Sequence, residues 1–152
     1  MSTKILMVCL GNICRSPLAE GILKSKLDSQ KFDVQSAGTA SYHNGKPPDP
    51  RSIAIAKAHG IDISTQRASK FDTKHFDNYN HIFVMDNANY EHVISKARNQ
   101  SEIDKVKLIL EELYPEQHQE VPDPYYGSDQ EFENVYQLLD QACEQLATQL
   151  LT

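Results

Sequence analysis

Residues 4–17 read Lys4-Ile5-Leu6-Met7-Val8-Cys9-Leu10-Gly11-Asn12-Ile13-Cys14-Arg15-Ser16-Pro17. Lys4 to Val8 begins polar and becomes an unbroken apolar run, the pattern of a strand buried on both faces. Gly11 and Asn12 interrupt it as turn formers, and both tolerate left-handed backbone conformations that turn N–H groups inward. Ser16 is a good helix N-cap and Pro17 suits the first helical position. Leu18, Ile22, Leu23 and Leu27 then fall on one helical face. The stretch predicts a strand, a tight loop and a helix.

The same alternation continues along the chain. Phe32–Ser36 predicts a second strand, and residues 37–50 a long loop with Gly38, Gly45, Pro47 and Pro48. Asp49-Pro50 starts a helix that ends near Gly60. His81–Met85 predicts a third strand, 87–99 a helix, Val106–Leu110 a fourth strand and 114–127 a loop. Ser128 and Glu131 have the spacing of a capping box. Phe132, Val135, Leu139, Ala142, Leu146 and Leu150 form a continuous helical stripe behind it. Strands alternating with helices predict an α/β fold: one domain over residues 1–152, a parallel sheet between two helical layers.

The composition narrows the partners. The formal net charge is −6 with no basic run, which argues against nucleic acid, because phosphate backbones demand clustered Lys and Arg. An anionic ligand then needs a local positive pocket within a negative whole. No apolar run is long enough to span a bilayer, and the start lacks the layout of a signal peptide, so a cytoplasmic protein without membrane insertion is expected. Three cysteines, Cys9, Cys14 and Cys143, are too few for a disulfide scaffold. The six histidines complete no zinc spacing with them, so neither metal nor cofactor is called for.

The chemistry concentrates where the first strand ends. In open α/β sheets ligands bind at the carboxyl ends of strands. Loop N–H groups and a helix amino terminus both favour an anion there. Five residues separate Cys9 from Arg15, so the loop can curl until its two ends face one anion. Arg15 grips two phosphate oxygens in a fork, as Lys cannot. The same positive field favours the thiolate of Cys9, and Ser16 is placed to donate a hydrogen bond to it. A thiolate facing phosphorus, with the equatorial oxygens cradled, is the arrangement covalent phosphoryl transfer requires. A lone cysteine at a strand end is more often packing; the C-x5-R-S-P pattern between strand and helix turns the reading toward a nucleophile. Cys14, in the same loop, is positioned to resolve a sulfenic acid on Cys9 as a disulfide. Cys143, on the apolar side of the last helix, reads as packing, and no histidine is assigned a role.

This loop resembles that of the low-molecular-weight protein tyrosine phosphatases. The likeness continues at Ala19-Glu20, Ser36-Ala37-Gly38, Pro48-Asp49-Pro50-Arg51, Met85-Asp86 and Asp123-Pro124-Tyr125-Tyr126, and so spans nearly the whole chain. It implies a four-stranded parallel sheet with helices on both faces. It also implies phosphotyrosine-containing proteins as substrates, inorganic phosphate as product and a phosphocysteine on Cys9. The phosphoryl group would be bound by Arg15 and by the loop residues Leu10, Gly11, Asn12, Ile13, Cys14 and Ser16. The residues alone leave Asp49, Asp86 and Asp123 open as general acid; the resemblance implies Asp123. It further implies Tyr42 as a rim aromatic and Tyr125 and Tyr126 as aromatics beside the acid, with half-buried packing the competing reading for Tyr126. Asn12 and Ser36 would hold the loop, with Gln66 standing where relatives often carry a supporting His.

Other chemistries fit less well. A thiol-linked arsenate reductase needs further cysteines between Cys14 and Cys143. A protein-arginine phosphatase on this scaffold carries Thr at the position of Ile13. A phosphocysteine carrier domain needs neither Arg15 nor Asp123, and a phosphopeptide-binding module gives the Cys9 thiolate no purpose.

Overall fold

Four strands, β1 (Thr3–Cys9), β2 (Phe32–Gly38), β3 (His81–Val84) and β4 (Val106–Leu108), pair in parallel in the order β2-β1-β3-β4. The structure, a computed structural model, describes residues 2–151. β1 is central, which explains its apolar run: Ile5 to Cys9 are all buried, alternately against the two helical layers. The chain crosses from β1 to β2 on one side and reaches β3 on the other. The carboxyl ends of β1 and β3 therefore flank the switch point where such sheets bind ligands.

Two apolar clusters cover the sheet faces. Ile5, Met7, Phe83 and Met85 pack with Leu18, Ile22 and Leu23 of helix α1 (Arg15–Lys26) and the stripe of the last helix. Helix α2 (Pro50–Ala58) joins this layer through Ala56. On the other face, Leu6, Val8, Ile82 and Val84 pack with Phe71, Phe76 of the short α3 (His75–Asn78) and Val93 of α4 (Asn87–Ser95). A smaller third cluster, Ile13, Cys14, Ala68 and Phe132, lies beneath the loop that follows β1. The α/β class, the four parallel strands and the helices on both faces are as the sequence predicts.

Several boundaries differ. β2 continues two residues further, to Gly38, whose amide donates to Ser69 O and whose carbonyl accepts from Phe71. The helix expected over 87–99 stops at Ser95, because Asn99 caps a separate short helix, α5 (Gln100–Ile103), by accepting from Glu102 N. The fourth strand ends at Leu108 and gives way to a 3-10 turn over Ile109–Glu112. Ser16 is not an N-cap: α1 starts at Arg15, two residues before the expected Pro17, and the Ser16 hydroxyl meets the Cys9 sulfur instead. Asp49 does cap α2, accepting from Arg51 N. Ser128 stands at the N-cap of α6 (Asp129–Leu150), yet the capping box does not form among the described residues, since the Glu131 carboxylate lies against Gly127. The stripe of α6 is buried as expected, with Leu150 packed at its edge.

Candidate active site

The loop from Cys9 to Arg15 curls at the carboxyl end of β1, and its carbonyls and amides divide sharply. The carbonyls of Cys9, Leu10 and Ile13 accept from the backbone N–H groups of Thr39, Ala40 and Asp49, and Cys14 O accepts from Ser52 Oγ. Among the described residues, the N–H groups of Leu10, Gly11, Asn12, Ile13 and Cys14 meet no protein acceptor. Five consecutive donors left open at a strand end can form a nest for an anion.

The curl has identifiable causes. Asn12 has a φ of 57°, the left-handed value anticipated for it. Gly11 does not share it. Glycine suits that position by proximity, because a Cβ would lie 3.1 Å from the His43 ring, a tight contact that the ring would have to relieve by shifting. A Cβ on Gly38 would come within 2.9 Å of Leu10 O, so the end of β2 must also be bare for the loop to close over it. Asn12 is fixed by three hydrogen bonds. Its Oδ1 accepts from Ser69 N at 3.0 Å, which determines that Nδ2 faces Ser16 Oγ (2.8 Å) and Ser36 Oγ (3.0 Å). With its oxygen already accepting, Ser16 has its hydroxyl proton for the Cys9 sulfur, 3.0 Å away. Ser36 likewise donates to Glu20 Oε1 at 2.7 Å, and Glu20 pairs with Lys24 one turn on.

Glu20 thus does the work expected of residue 66. Gln66 Nε2 donates to Pro17 O at 3.1 Å, while its Oε1 is buried without a partner and does not reach Ser36. The Ala19-Glu20 match contained this clue, since a Glu on the buried side of an otherwise apolar helix needs a polar partner.

Arg15 is only 2% exposed. Its Nη1 donates to Asp86 Oδ2 at 2.7 Å and to Val121 O at 3.0 Å, which leaves Nε and Nη2 for a bound anion. Burial opposes its charge, but the Cys9 sulfur and the carboxylates of Asp86 and Asp123 together hold it above the ordinary arginine range. Asp86 has two tasks: Oδ1 accepts from Asn89 N to cap α4, and Oδ2 orients Arg15. The sequence reading left it, at the end of the third strand, as one of three candidate acids and gave it no contact with Arg15. Met85-Asp86 follows β3 at the switch point, and that topology is what brings it to Arg15.

A cavity of about 130 Å³ opens above the loop, with Cys9, Leu10, Gly11, Ile13, Cys14 and Arg15 at its base and Tyr42, His43, Asp123, Tyr125 and Tyr126 around it. Asn12 and Ser16, expected among the substrate-binding residues, have their side chains behind the loop rather than on the cavity wall. Tyr42 and Tyr126 stand largely exposed at the rim, so half-buried packing does not describe Tyr126. Tyr125 meets the edge of Tyr126 and faces His43. His43, given no role from sequence, is a wall residue. Its only signal was its place beside Tyr42. Asp123 Oδ1 accepts from Tyr125 N at 3.1 Å, and Oδ2 lies 3.7 Å from Arg15 Nη2.

The three cysteines are free thiols in three different settings. Burial, the Asp49 carboxylate and then Cys9 push the Cys14 thiol up. Burial, opposed by Lys26 and aided by Asp140, carries Cys143, packed inside the α6 layer, up to about 12. Among the described residues no group of three or more His, Cys, Asp or Glu gathers to hold a metal ion, and no helix is long and apolar enough to cross a membrane.

Comparison with known proteins agrees with this geometry. Residues 4–152 match the family model for low molecular weight phosphotyrosine protein phosphatase. The phosphatase of that name from Schizosaccharomyces pombe is 38% identical over 143 residues, covering 90% of each chain. A protein tyrosine phosphatase from Entamoeba histolytica, solved with Hepes in its active site, superposes with a TM-score of 0.91 at 36% identity, over 99% of this chain and 97% of that one. Vibrio vulnificus Wzb, solved with benzylphosphonate, gives 0.88 at 32% identity, over 98% and 99%. With an anion nest, a thiol and a buried arginine converging beneath an aromatic rim, and with these matches along its whole length, the chain belongs to the low-molecular-weight protein tyrosine phosphatases, which are hydrolases.

Proposed function

We propose that residues 1–152 act as one phosphatase domain that removes phosphate from phosphotyrosine-containing proteins, with Cys9 as nucleophile, Arg15 as phosphate clamp and Asp123 as general acid. The observation that carries the reading is the convergence of the Cys9 sulfur, the open N–H groups of residues 10–14 and the free edge of Arg15 on one cavity floor, with Asp123 above them. Cys9 Sγ attacks phosphorus while the bond to the phenolic oxygen breaks. The Asp123 proton passes to the departing phenolate. The equatorial oxygens are held by the loop N–H groups and the Arg15 fork. Water then attacks the phosphocysteine, Asp123 takes its proton, and the S–P bond breaks to release inorganic phosphate and the Cys9 thiolate.

Tyr42 and Tyr125 flank the substrate ring, and the apolar side chains of Leu10 and Ile13 line its approach. A free Cys9 thiol suits a reducing compartment, which supports the cytoplasm as the site of action. The test is hydrolysis of phosphotyrosine, phosphoserine and phosphoarginine peptides, with Cys9→Ser used to trap phosphoproteins from the native cell. Turnover confined to phosphotyrosine, and trapped proteins that react with phosphotyrosine antibody, are expected. Preferred turnover of phosphoarginine overturns the assignment of substrate, and substantial turnover by Cys9→Ser overturns the mechanism.

A further inference from the structure

The loop that carries Asp123 has few ties of its own. Its start is anchored where Val121 N donates to Met85 O and Val121 O accepts from Arg15. Its end closes in a turn, Gly127 N donating to Pro124 O. Between these points the side chain that joins it to the rest of the site comes from α2. Arg51 Nη2 donates to Tyr125 O at 2.8 Å and Nη1 to Gly127 O at 3.2 Å. On its other side the same guanidinium donates to Asp49, from Nε to Oδ1 and from Nη2 to Oδ2, both at 3.0 Å. Asp49 N in turn donates to Ile13 O in the phosphate loop. The guanidinium lies 4.4 Å from the centroid of the Phe132 ring, so the first turn of α6 fixes its plane.

We propose that Arg51 is a positioning residue that sets the height of Asp123 above the Cys9 sulfur by tying the acid-bearing loop to the phosphate loop. The geometry suits that task. One planar fork spans the carboxylate of a residue whose amide is bonded to the phosphate loop and two carbonyls of the acid-bearing loop, and lysine has no equivalent set of fixed donors. Asp123 itself is partly exposed, and its backbone lies two residues from the Tyr125 carbonyl that Arg51 holds. A proton donor has to stay within about 3 Å of the leaving oxygen, and a displacement of about 1 Å at such a group costs up to about a hundredfold in rate. Arg51 touches neither phosphorus nor leaving group on this reading. Its effect passes wholly through Asp123.

The inference rests on Asp123 being the general acid, and the experiment separates the two. Single-turnover formation of phosphocysteine is measured with phosphotyrosine, whose leaving group needs a proton, and with p-nitrophenyl phosphate, whose leaving group departs more readily unaided. Arg51→Lys and Asp49→Asn are expected to slow phosphotyrosine about tenfold or more and p-nitrophenyl phosphate much less, with vanadate binding retained. Added to Asp123→Asn, Arg51→Lys is expected to cause no further loss, because residues acting through one group are not additive. Equal slowing of both substrates, loss of vanadate binding, or additivity with Asp123→Asn overturns the role of Arg51. If Asp123→Asn alone shows no preference between the two substrates, the acid assignment falls and the inference falls with it. If it shows the preference and Arg51→Lys does not, only the inference falls.

Discussion

The two loops that meet at the cavity are built on opposite plans. In the loop from Cys9 to Arg15 all residues but Leu10 and Gly11 are buried. The carbonyls of Cys9, Leu10, Ile13 and Cys14 are taken, and its key side chain, Asn12, ends a chain of polar contacts running through Ser36 to Glu20. In the loop from Val121 to Gly127 only Val121 and Pro124 are buried, and it depends on Arg15 at one end and Arg51 at the other. The difference follows from the tasks proposed for each. A receptor for phosphoryl oxygens gains from donors fixed before the reaction starts, because reorganising them would add to the barrier. A proton donor has to admit a bulky substrate and release a phenol, so it stands on the side that opens.

The largest expected effect tests the rigid loop. Cys9→Ser is expected to lower turnover by about a thousandfold or more, since residues acting as a unit with the nucleophile cannot replace it. Vanadate and phosphate binding should persist, because the amides and Arg15 remain. Binding lost together with turnover would mean that the sulfur organises the loop, and the contrast between receptor and nucleophile would collapse. The exposed loop comes next. Asp123→Asn is expected to slow phosphocysteine formation from phosphotyrosine about a hundredfold more than from p-nitrophenyl phosphate in single turnovers. Asp86→Asn should slow both alike, since Asp86 orients Arg15 rather than meeting the leaving group. A leaving-group preference in Asp86→Asn would move the acid from one loop to the other.

The same contrast explains what could be read from the sequence. The strand, the loop and its seven-residue Cys-to-Arg span are contiguous, and each residue type there has a local physical reason. The polar support behind the loop is not contiguous. Glu20, Ser36 and Ser69 come from α1, β2 and the segment after α2, and only the sheet register brings them to Asn12. Ser16 was misread as a cap because its hydroxyl has two possible employers, a helix end and a neighbouring sulfur, and spacing cannot choose between them. His43 was given no role, and Arg51 was quoted only within a matching stretch without one, for a related reason. Each sits in a segment that reads as ordinary loop or helix start, and each matters through partners 74 to 82 positions away, so that only the folded chain reveals them.

A moderate effect is expected from the support itself. Ser36→Ala leaves the Asn12 amide and the Glu20 carboxylate each short of a partner in a buried place, which costs about 1–3 kcal/mol. Turnover should fall several-fold with both aryl phosphates alike, and vanadate should bind more weakly, because the rigid loop relaxes while Asp123 is untouched. Measuring the ratio of the two substrates separates this from a fault in the exposed loop: a changed ratio would show that the two loops are coupled through Ser36.

The smallest effect concerns the joint between the loops and is read in stability rather than rate. Burial opposes ionisation of Asp49, but hydrogen bonds from the Arg51 side chain and backbone outweigh it and hold the carboxyl below its usual 3.8. A carboxylate whose folded value is depressed stabilises the fold above its unfolded value, and that contribution is lost as pH falls through the folded value. Asp49→Asn keeps an oxygen that can cap α2 and accept one Arg51 bond, so the helix stays capped while the charge and the second prong of the Arg51 contact are lost. At neutral pH the variant should melt on the order of 4 °C below the parent, consistent with losing a charge-assisted bond in a chain of this size. The gap should stay constant down to about pH 4 and close below it, as the parent too becomes protonated at residue 49. Thermal unfolding followed by circular dichroism between pH 7 and pH 3 provides the measurement. A gap that widens on acidification would reverse the sign and would mean that Asp49 and Arg51 do not form the charged pair through which the two loops are joined.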